Sequence, residues 1–145
     1  MKYLIYLVED EENLNQLLTS YLKNEGWEVY SFLTGSEAHK NITKKPHLWI
    51  LDIMLPDIDG YQIIREIKAF SPNIPVIFIS ARDADLDRIV GLEMGSDDYL
   101  PKPFLPRELV IRCRKILERT YEKSLNATSE NYIHLPPYII NTDTR

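Results

Sequence analysis

Asp52 follows the apolar run Leu48-Trp49-Ile50-Leu51, and Met54-Leu55-Pro56 closes that segment. Two more acids, Glu9 and Asp10, end an earlier apolar run, Leu4-Ile5-Tyr6-Leu7-Val8. A hydroxyl, Ser80, ends Val76-Ile77-Phe78-Ile79, and a cation, Lys102, follows Asp98-Tyr99-Leu100-Pro101. Three carboxylates gathered within roughly 5 Å would repel by about 3 kcal/mol per pair at an effective dielectric of about 20. A fold tolerates such crowding when a divalent cation is the intended occupant. Few protein oxygens, with the remaining positions left to water, suit Mg2+, which also bridges to phosphate. Glu9, Asp10 and Asp52 are therefore the expected metal ligands. The chemistry that fits is phosphoryl transfer onto Asp52, whose carboxylate would act as nucleophile and form an acyl phosphate. Lys102 would supply a point charge, and the Ser80 hydroxyl a hydrogen bond, to the phosphoryl oxygens.

These residues need a scaffold that delivers all of them to one rim. Continuous apolar runs of this length read as strands covered on both faces, the kind found in parallel sheets. The runs ending at Val8, Asp52, Ser80 and Leu100 have that character, and Trp27–Phe32, rich in aromatic and β-branched residues, makes a fifth strand. Between them lie helical patterns: Leu14, Leu17, Leu18, Tyr21 and Leu22, stopped by Gly26; a shorter, more polar stretch from Gly35 to about Lys45; Tyr61, Ile64 and Ile67, ended by Ser71-Pro72; and Leu86, Ile89, Val90 and Met94, closed by Gly95. A last helix opens at Pro106 and buries Leu109, Val110, Cys113, Ile116 and Leu117. Alternating strands and helices imply parallel pairing with right-handed crossovers. The expected fold is α/β: a doubly wound, five-stranded parallel sheet in the order 2-1-3-4-5 with five helices. Its ligand crevice would lie over the C-terminal ends of the first and third strands.

The chain's 145 residues make one ordinary domain with an appendage. A net charge of −5 argues against non-specific binding to nucleic acid or anionic membranes. The lone cysteine, Cys113, excludes a disulfide framework and fits a reducing compartment. The first apolar run is too short for a signal sequence, and no segment approaches membrane-spanning length, so a cytoplasmic location is expected. Residues 1–121 form the expected domain and residues 122–131, polar and without periodicity, a linker. Residues 132–145 carry Tyr132-Ile133-His134-Leu135 and Tyr138-Ile139-Ile140 around Pro136-Pro137, as if a second small sheet began there.

Taken together, Glu9-Asp10, Asp52 with Met54-Leu55-Pro56-x-x-Asp59-Gly60, Ser80-Ala81, Tyr99 and Lys102-Pro103-Phe104 resemble the receiver domain of two-component response regulators over about residues 3–120. The resemblance implies a flavodoxin-like receiver fold and a phosphoacceptor at Asp52. It adds the Met54 backbone carbonyl to the Mg2+ ligands and implies a cis peptide bond between Lys102 and Pro103. Ser80 and Tyr99 would be a switch pair, and Met54 and Arg82 would tune the lifetime of the acyl phosphate. Gly95-Ser96-Asp97-Asp98-Tyr99, Pro103-Phe104-x-Pro106-x-Glu108-Leu109 and Arg112 further resemble the OmpR/PhoB-type winged-helix transcription factors. That likeness implies a sensor histidine kinase as phosphoryl donor and a homodimer formed on phosphorylation through the fourth helix, fifth strand and fifth helix. Arg88 would pair with Glu108, and Asp98 with Arg112, across its two-fold axis. DNA would be bound only through a C-terminal domain of which residues 132–145 are the truncated start.

The implied protein is not an enzyme but a phosphoryl-accepting switch, self-phosphorylating from small donors and slowly losing the group again. One alternative keeps the domain as a stand-alone receiver and interaction module. An aspartyl-phosphate hydrolase would want a second acid two residues after the nucleophile, where this chain has Met54. A flavodoxin-like cofactor carrier would want a hydroxyl- and glycine-rich loop after the first strand, where this chain has acids. Asp57 and Asp59 read as turn formers, Cys113 as a core residue, and His39, His47 and His134 as surface or linker residues.

Overall fold

Every residue of Leu48–Asp52 is buried, which is what a strand flanked on both faces requires. The computed structural model describes residues 2–81 and 84–122, with 84–88 by their backbone alone. The strands are β1 (Leu4–Val8), β2 (Glu28–Phe32), β3 (Leu48–Asp52), β4 (Val76–Ser80) and β5 (Asp98–Pro101). The helices that alternate with them are α1 (Glu12–Lys23), α2 (Gly35–Lys40), α3 (Gly60–Phe70), α4 (Ala84–Glu93) and α5 (Pro106–Leu117), and a π-helical turn, Glu118–Glu122, follows α5. The five strands form one sheet in the order β2-β1-β3-β4-β5, every pairing parallel. This is the expected doubly wound arrangement, with β1 and β3 adjacent at the switch point.

Side chains alternate across the sheet and divide the core into two layers. Leu48 and Ile50 join Ile5, Leu7, Ile77 and Ile79 against Leu18 and Leu22 of α1 and Leu109, Val110 and Cys113 of α5. Trp49 and Leu51 join Tyr6, Val8, Val76 and Phe78 against Ala38 of α2 and Ile63, Ile64 and Ile67 of α3. Fully burying one such aliphatic side chain contributes about 1.5–3 kcal/mol, so the two layers carry the fold.

Several elements differ in detail from the periodicity. The buried positions of α1 are Asn15, Leu18 and Leu22, while Leu17 and Tyr21 are exposed. The helix is rotated because Asn15 has polar partners inside: its amide donates to the Glu9 carbonyl at 2.9 Å and the Phe32 carbonyl at 3.3 Å. The expected helix to Lys45 stops at Lys40, where Asn41 turns off its end and Ile42 drops into the core. On α4, Ile89 is exposed and Gly91 is buried instead. A Cβ at Gly91 would meet the Phe78 ring at 2.6 Å, so helix and strand approach too closely for any larger side chain. Glu122, where the linker was expected to open, lies in the final helical turn and accepts a hydrogen bond from the Tyr3 hydroxyl. The segments assigned from sequence to 123–131 and 132–145, Arg82 and the Arg88 side chain lie outside the described residues.

Candidate phosphoacceptor and metal site

The C-terminal ends of β1 and β3 deliver the acids. β1 stops at Val8, and Glu9 continues its line by donating its N–H to the Phe32 carbonyl at 3.0 Å. Asp52 is the last residue of β3, and Ile53 beyond it donates to the Ile79 carbonyl at 3.0 Å. Glu9, Asp10 and Asp52 consequently bring carboxylate oxygens within 4.8 Å of one another. Their environments differ. Glu9 is fully buried and Asp52 nearly so, whereas Asp10 is exposed.

Lys102, just beyond β5, reaches back over the sheet edge. Its N–H donates to the Ser80 carbonyl at 2.8 Å, which fixes the backbone. Its Nζ lies 2.9 Å from Glu9 Oε1 and 3.0 Å from Asp52 Oδ2. The peptide bond to Pro103 is cis, as the motif implied. The other oxygen of each acid is held by backbone: Glu11 N–H donates to Glu9 Oε2, and Met54 N–H donates to Asp52 Oδ1, both at 2.9 Å.

The electrostatics follow from this packing. Burial first, then the Asp52 charge, pushes the Glu9 carboxyl up to about 7. Burial also raises Asp52, although Lys102 and the Met54 N–H pull the other way. Burial works against the Lys102 ammonium, but Glu9 and Asp52 outweigh it and its pKa rises. Among the described residues one cation thus faces two buried carboxylates, leaving them short of positive charge. Three hard oxygen donors in a cluster that still lacks compensation fit a small divalent cation. Met54 sits on the same loop, half-exposed, beside Asp10 in one open cleft.

Ser80 ends β4 and Tyr99, paired with Phe78, lies near the start of β5; both are buried. Asp98 and Arg112 face one another on β5 and α5, with Arg112 NH1 2.8 Å from each Asp98 oxygen and NH2 3.4 Å from Glu108 Oε2. These are contacts within one chain. Cys113 is wholly buried, and burial pushes its thiol up, as a core residue requires.

Three residues matter here that sequence reasoning undervalued. Asn15 was not singled out, though an asparagine inside an apolar stripe was a usable signal. Asp57 does more than turn the chain: it accepts from Gly35 N–H, Ser36 N–H and the Ser36 hydroxyl. His47, expected at the surface, is half-buried with Nδ1 accepting the Leu4 N–H at 2.9 Å, between the rings of Tyr3 and Tyr121. Desolvation lowers its pKa, consistent with a neutral ring.

Residues 5–114 match the family described as response regulator receiver domain. The chain is 60% identical over all 145 residues to the transcriptional regulatory protein CssR of Bacillus subtilis (strain 168), covering 64% of that protein. It is 40% identical over 125 residues to a CpxR homolog of Haemophilus influenzae, covering 86% of this chain and 55% of that one. The chain therefore spans less than two thirds of the length of these curated relatives. Among solved structures it resembles the response regulator DrrB, a Thermotoga maritima OmpR/PhoB homolog, with a TM-score of 0.75 and 37% identity over 82% of this chain and 54% of that one. No helix among the described residues is long and apolar enough to cross a membrane.

Proposed function

The chain belongs to the response regulator receiver family, and from that membership we propose that Asp52 accepts a phosphoryl group from the phosphohistidine of a sensor kinase. The observation that carries this reading is the convergence of Glu9, Asp10 and Asp52 within 4.8 Å, with Lys102 bridging two of them. An Asp52 oxygen attacks the phosphorus, the bond from phosphorus to the histidine nitrogen breaks, and an acyl phosphate remains on the carboxylate. The Met54 N–H holds Oδ1, so the carboxylate enters the reaction already oriented. Lys102 keeps its proton and moves from neutralising Asp52 to neutralising the phosphoryl oxygens. Ser80, buried at the exit of β4, supplies its hydroxyl to the same oxygens, and the Tyr99 ring follows that movement as the switch partner. Glu9, Asp10, Asp52 and the Met54 carbonyl would hold Mg2+, which when bound would offset the charge of donor and product.

The acyl phosphate adds nearly two negative charges to an acidic crevice and so biases an equilibrium between two conformers of the rim. The output is a homodimer through α4, β5 and α5, placing Arg88, Asp98, Glu108 and Arg112 at the two-fold axis. In the longer protein this raises the local concentration of paired DNA-binding domains and regulates transcription. The cytoplasm is the compartment this reading implies.

The test is incubation with acetyl phosphate and Mg2+, followed by intact-mass measurement. One phosphoryl group is expected on the wild-type chain and none on Asp52→Asn. Labelling of the Asn variant at the same stoichiometry would move the acceptor elsewhere.

A further inference from the structure

The acids of the rim are aimed by loops, and the loop from Ile53 to Asp59 is tied at its tip to a second segment of the chain. Its base is closed at both ends: Ile53 N–H donates to the Ile79 carbonyl and Gly60 N–H to the Ile53 carbonyl, each at 3.0 Å. A Cβ at Gly60 would lie 2.6 Å from Ile53 Cα and 2.7 Å from the Asp52 carbonyl, so this closure depends on glycine. Between those pins the Met54 N–H orients Asp52 Oδ1. The tip of the loop is held by Asp57. One of its bonds, to Ile58 N–H at 3.0 Å, closes its own turn. The others cross to a different part of the chain: Oδ1 accepts from Gly35 N–H at 2.9 Å, and Oδ2 accepts from Ser36 N–H and Ser36 Oγ at 2.8 Å each. Gly35 is fitted to this approach, since a Cβ there would meet Ile58 Cβ at 2.8 Å and Asp57 Oδ1 at 3.0 Å.

We propose that Asp57 is a positioning residue for phosphoryl acceptance: anchored on Gly35 and Ser36, it holds the loop whose Met54 N–H aims Asp52 and whose Met54 carbonyl would serve the metal. The proposal rests on the reading of Asp52 as phosphoacceptor. Hydrogen bonds from Ser36, above all its hydroxyl, hold the Asp57 carboxyl down at about 2, so all its acceptor positions are available at any working pH. Thr34 and Asp57 serve different donors at the start of α2, Thr34 Oγ1 accepting the Glu37 N–H at 3.1 Å and Asp57 the Gly35 and Ser36 N–H groups, so the two can be varied separately. The same loop lines the cleft shared by Asp10, Met54, Pro56, Asp57 and Asp59, so its tip and the metal side belong to one surface. Outer partners that orient a ligand-bearing segment matter for affinity even without touching the metal.

The two caps allow a clean test on the full chain. Mg2+ affinity is measured by calorimetry, and phosphorylation by acetyl phosphate is followed against Mg2+ concentration. Asp57→Ala should weaken Mg2+ about tenfold and raise the half-saturating Mg2+ concentration by a like factor, with a smaller change in rate at saturation. Asp57→Asn, which keeps an acceptor for Gly35, should fall between. Thr34→Ala should lower Tm without moving either curve. An Asp57→Ala variant with unchanged Mg2+ affinity and half-saturation, and only the Tm loss of Thr34→Ala, would overturn the proposal and leave the phosphoacceptor reading intact. Weakened Mg2+ in Asp57→Ala together with full labelling of Asp52→Asn would keep the anchor and remove that reading.

Discussion

Arg112 places one guanidinium nitrogen 2.8 Å from both oxygens of Asp98 in its own chain. Hydrogen bonding to Asp98 raises the arginine's pKa further. A two-fold interface that uses these residues must trade this internal pair for an equivalent one between protomers. Such a trade between partly exposed charges favours the dimer by about 1 kcal/mol at most, and chiefly sets register and partner choice.

For the dimer, the consequence is that Arg112→Ala should weaken self-association of the phosphorylated form by about fivefold, roughly 1 kcal/mol, with little effect on monomer stability. Exchanging both charges, Asp98→Arg with Arg112→Asp, should restore it. Sedimentation velocity on the acetyl-phosphate-treated proteins is the measurement, and identical dimer constants for wild type and Arg112→Ala would remove this pair from the interface.

The raised Glu9 pKa predicts a pH signature with a definite sign. Between its ordinary value of 4.5 and about 7, folded Glu9 retains a proton that the unfolded chain has released. Stability therefore falls as pH rises through that window. Mg2+ competes with that proton, so the Tm gain on adding Mg2+ should grow from about pH 5 to pH 7.5. Asp57 acts in the opposite sense, stabilising above its ordinary 3.8 and losing that contribution as pH falls toward about 2. Calorimetric scans with and without Mg2+ decide the point: a metal effect independent of pH would exclude Glu9 as a ligand.

Lys102 bridges two buried carboxylates, so Lys102→Met leaves both without their cation. Breaking a buried pair on one side costs about 3 kcal/mol. Protonation of the stranded acids relieves part of it, and the cost should be smaller at pH 5.5 than at pH 8. Urea unfolding at the two pH values tests this, and an equal loss at both would mean the acids are not coupled to the lysine.

Asn15→Leu keeps the branched shape but strands the Glu9 carbonyl and removes one of the two donors to the Phe32 carbonyl, which keeps the Glu9 N–H. A loss of about 2 kcal/mol is expected from the unsatisfied carbonyl. Leu17→Asn, on the exposed side of the same helix, should be close to neutral. If chemical denaturation gave the reverse order, α1 would be facing the way its leucine spacing suggests.

Much of this molecule could be read from residue order. The unbroken apolar runs before Glu9, Asp52 and Ser80 specify buried parallel strands, because a strand covered on both faces has no polar side to show. Once β1 and β3 are neighbours, the residues just past them share a rim, and that is why Glu9, Asp10, Asp52 and Lys102 were legible as a group. The α5 stripe of Leu109, Val110, Cys113, Ile116 and Leu117 was equally plain, since its period matches the helix and its burial agrees.

Other features depend on contacts between residues far apart in the chain, which no local pattern encodes. Periodicity finds the apolar side of α1 but not that Asn15 belongs inside, which follows from two strand-end carbonyls meeting there. Motif spacing treats Glu9 and Asp10 alike, yet the sheet buries one and exposes the other, and that burial, with the Asp52 charge, raises the Glu9 pKa. Asp57 looks like a turn residue until Gly35 and Ser36, 22 and 21 residues earlier, come within hydrogen-bonding distance. Residue types and their order specify which chemistry is possible at this rim, while packing sets the charge each group carries and the direction in which it points.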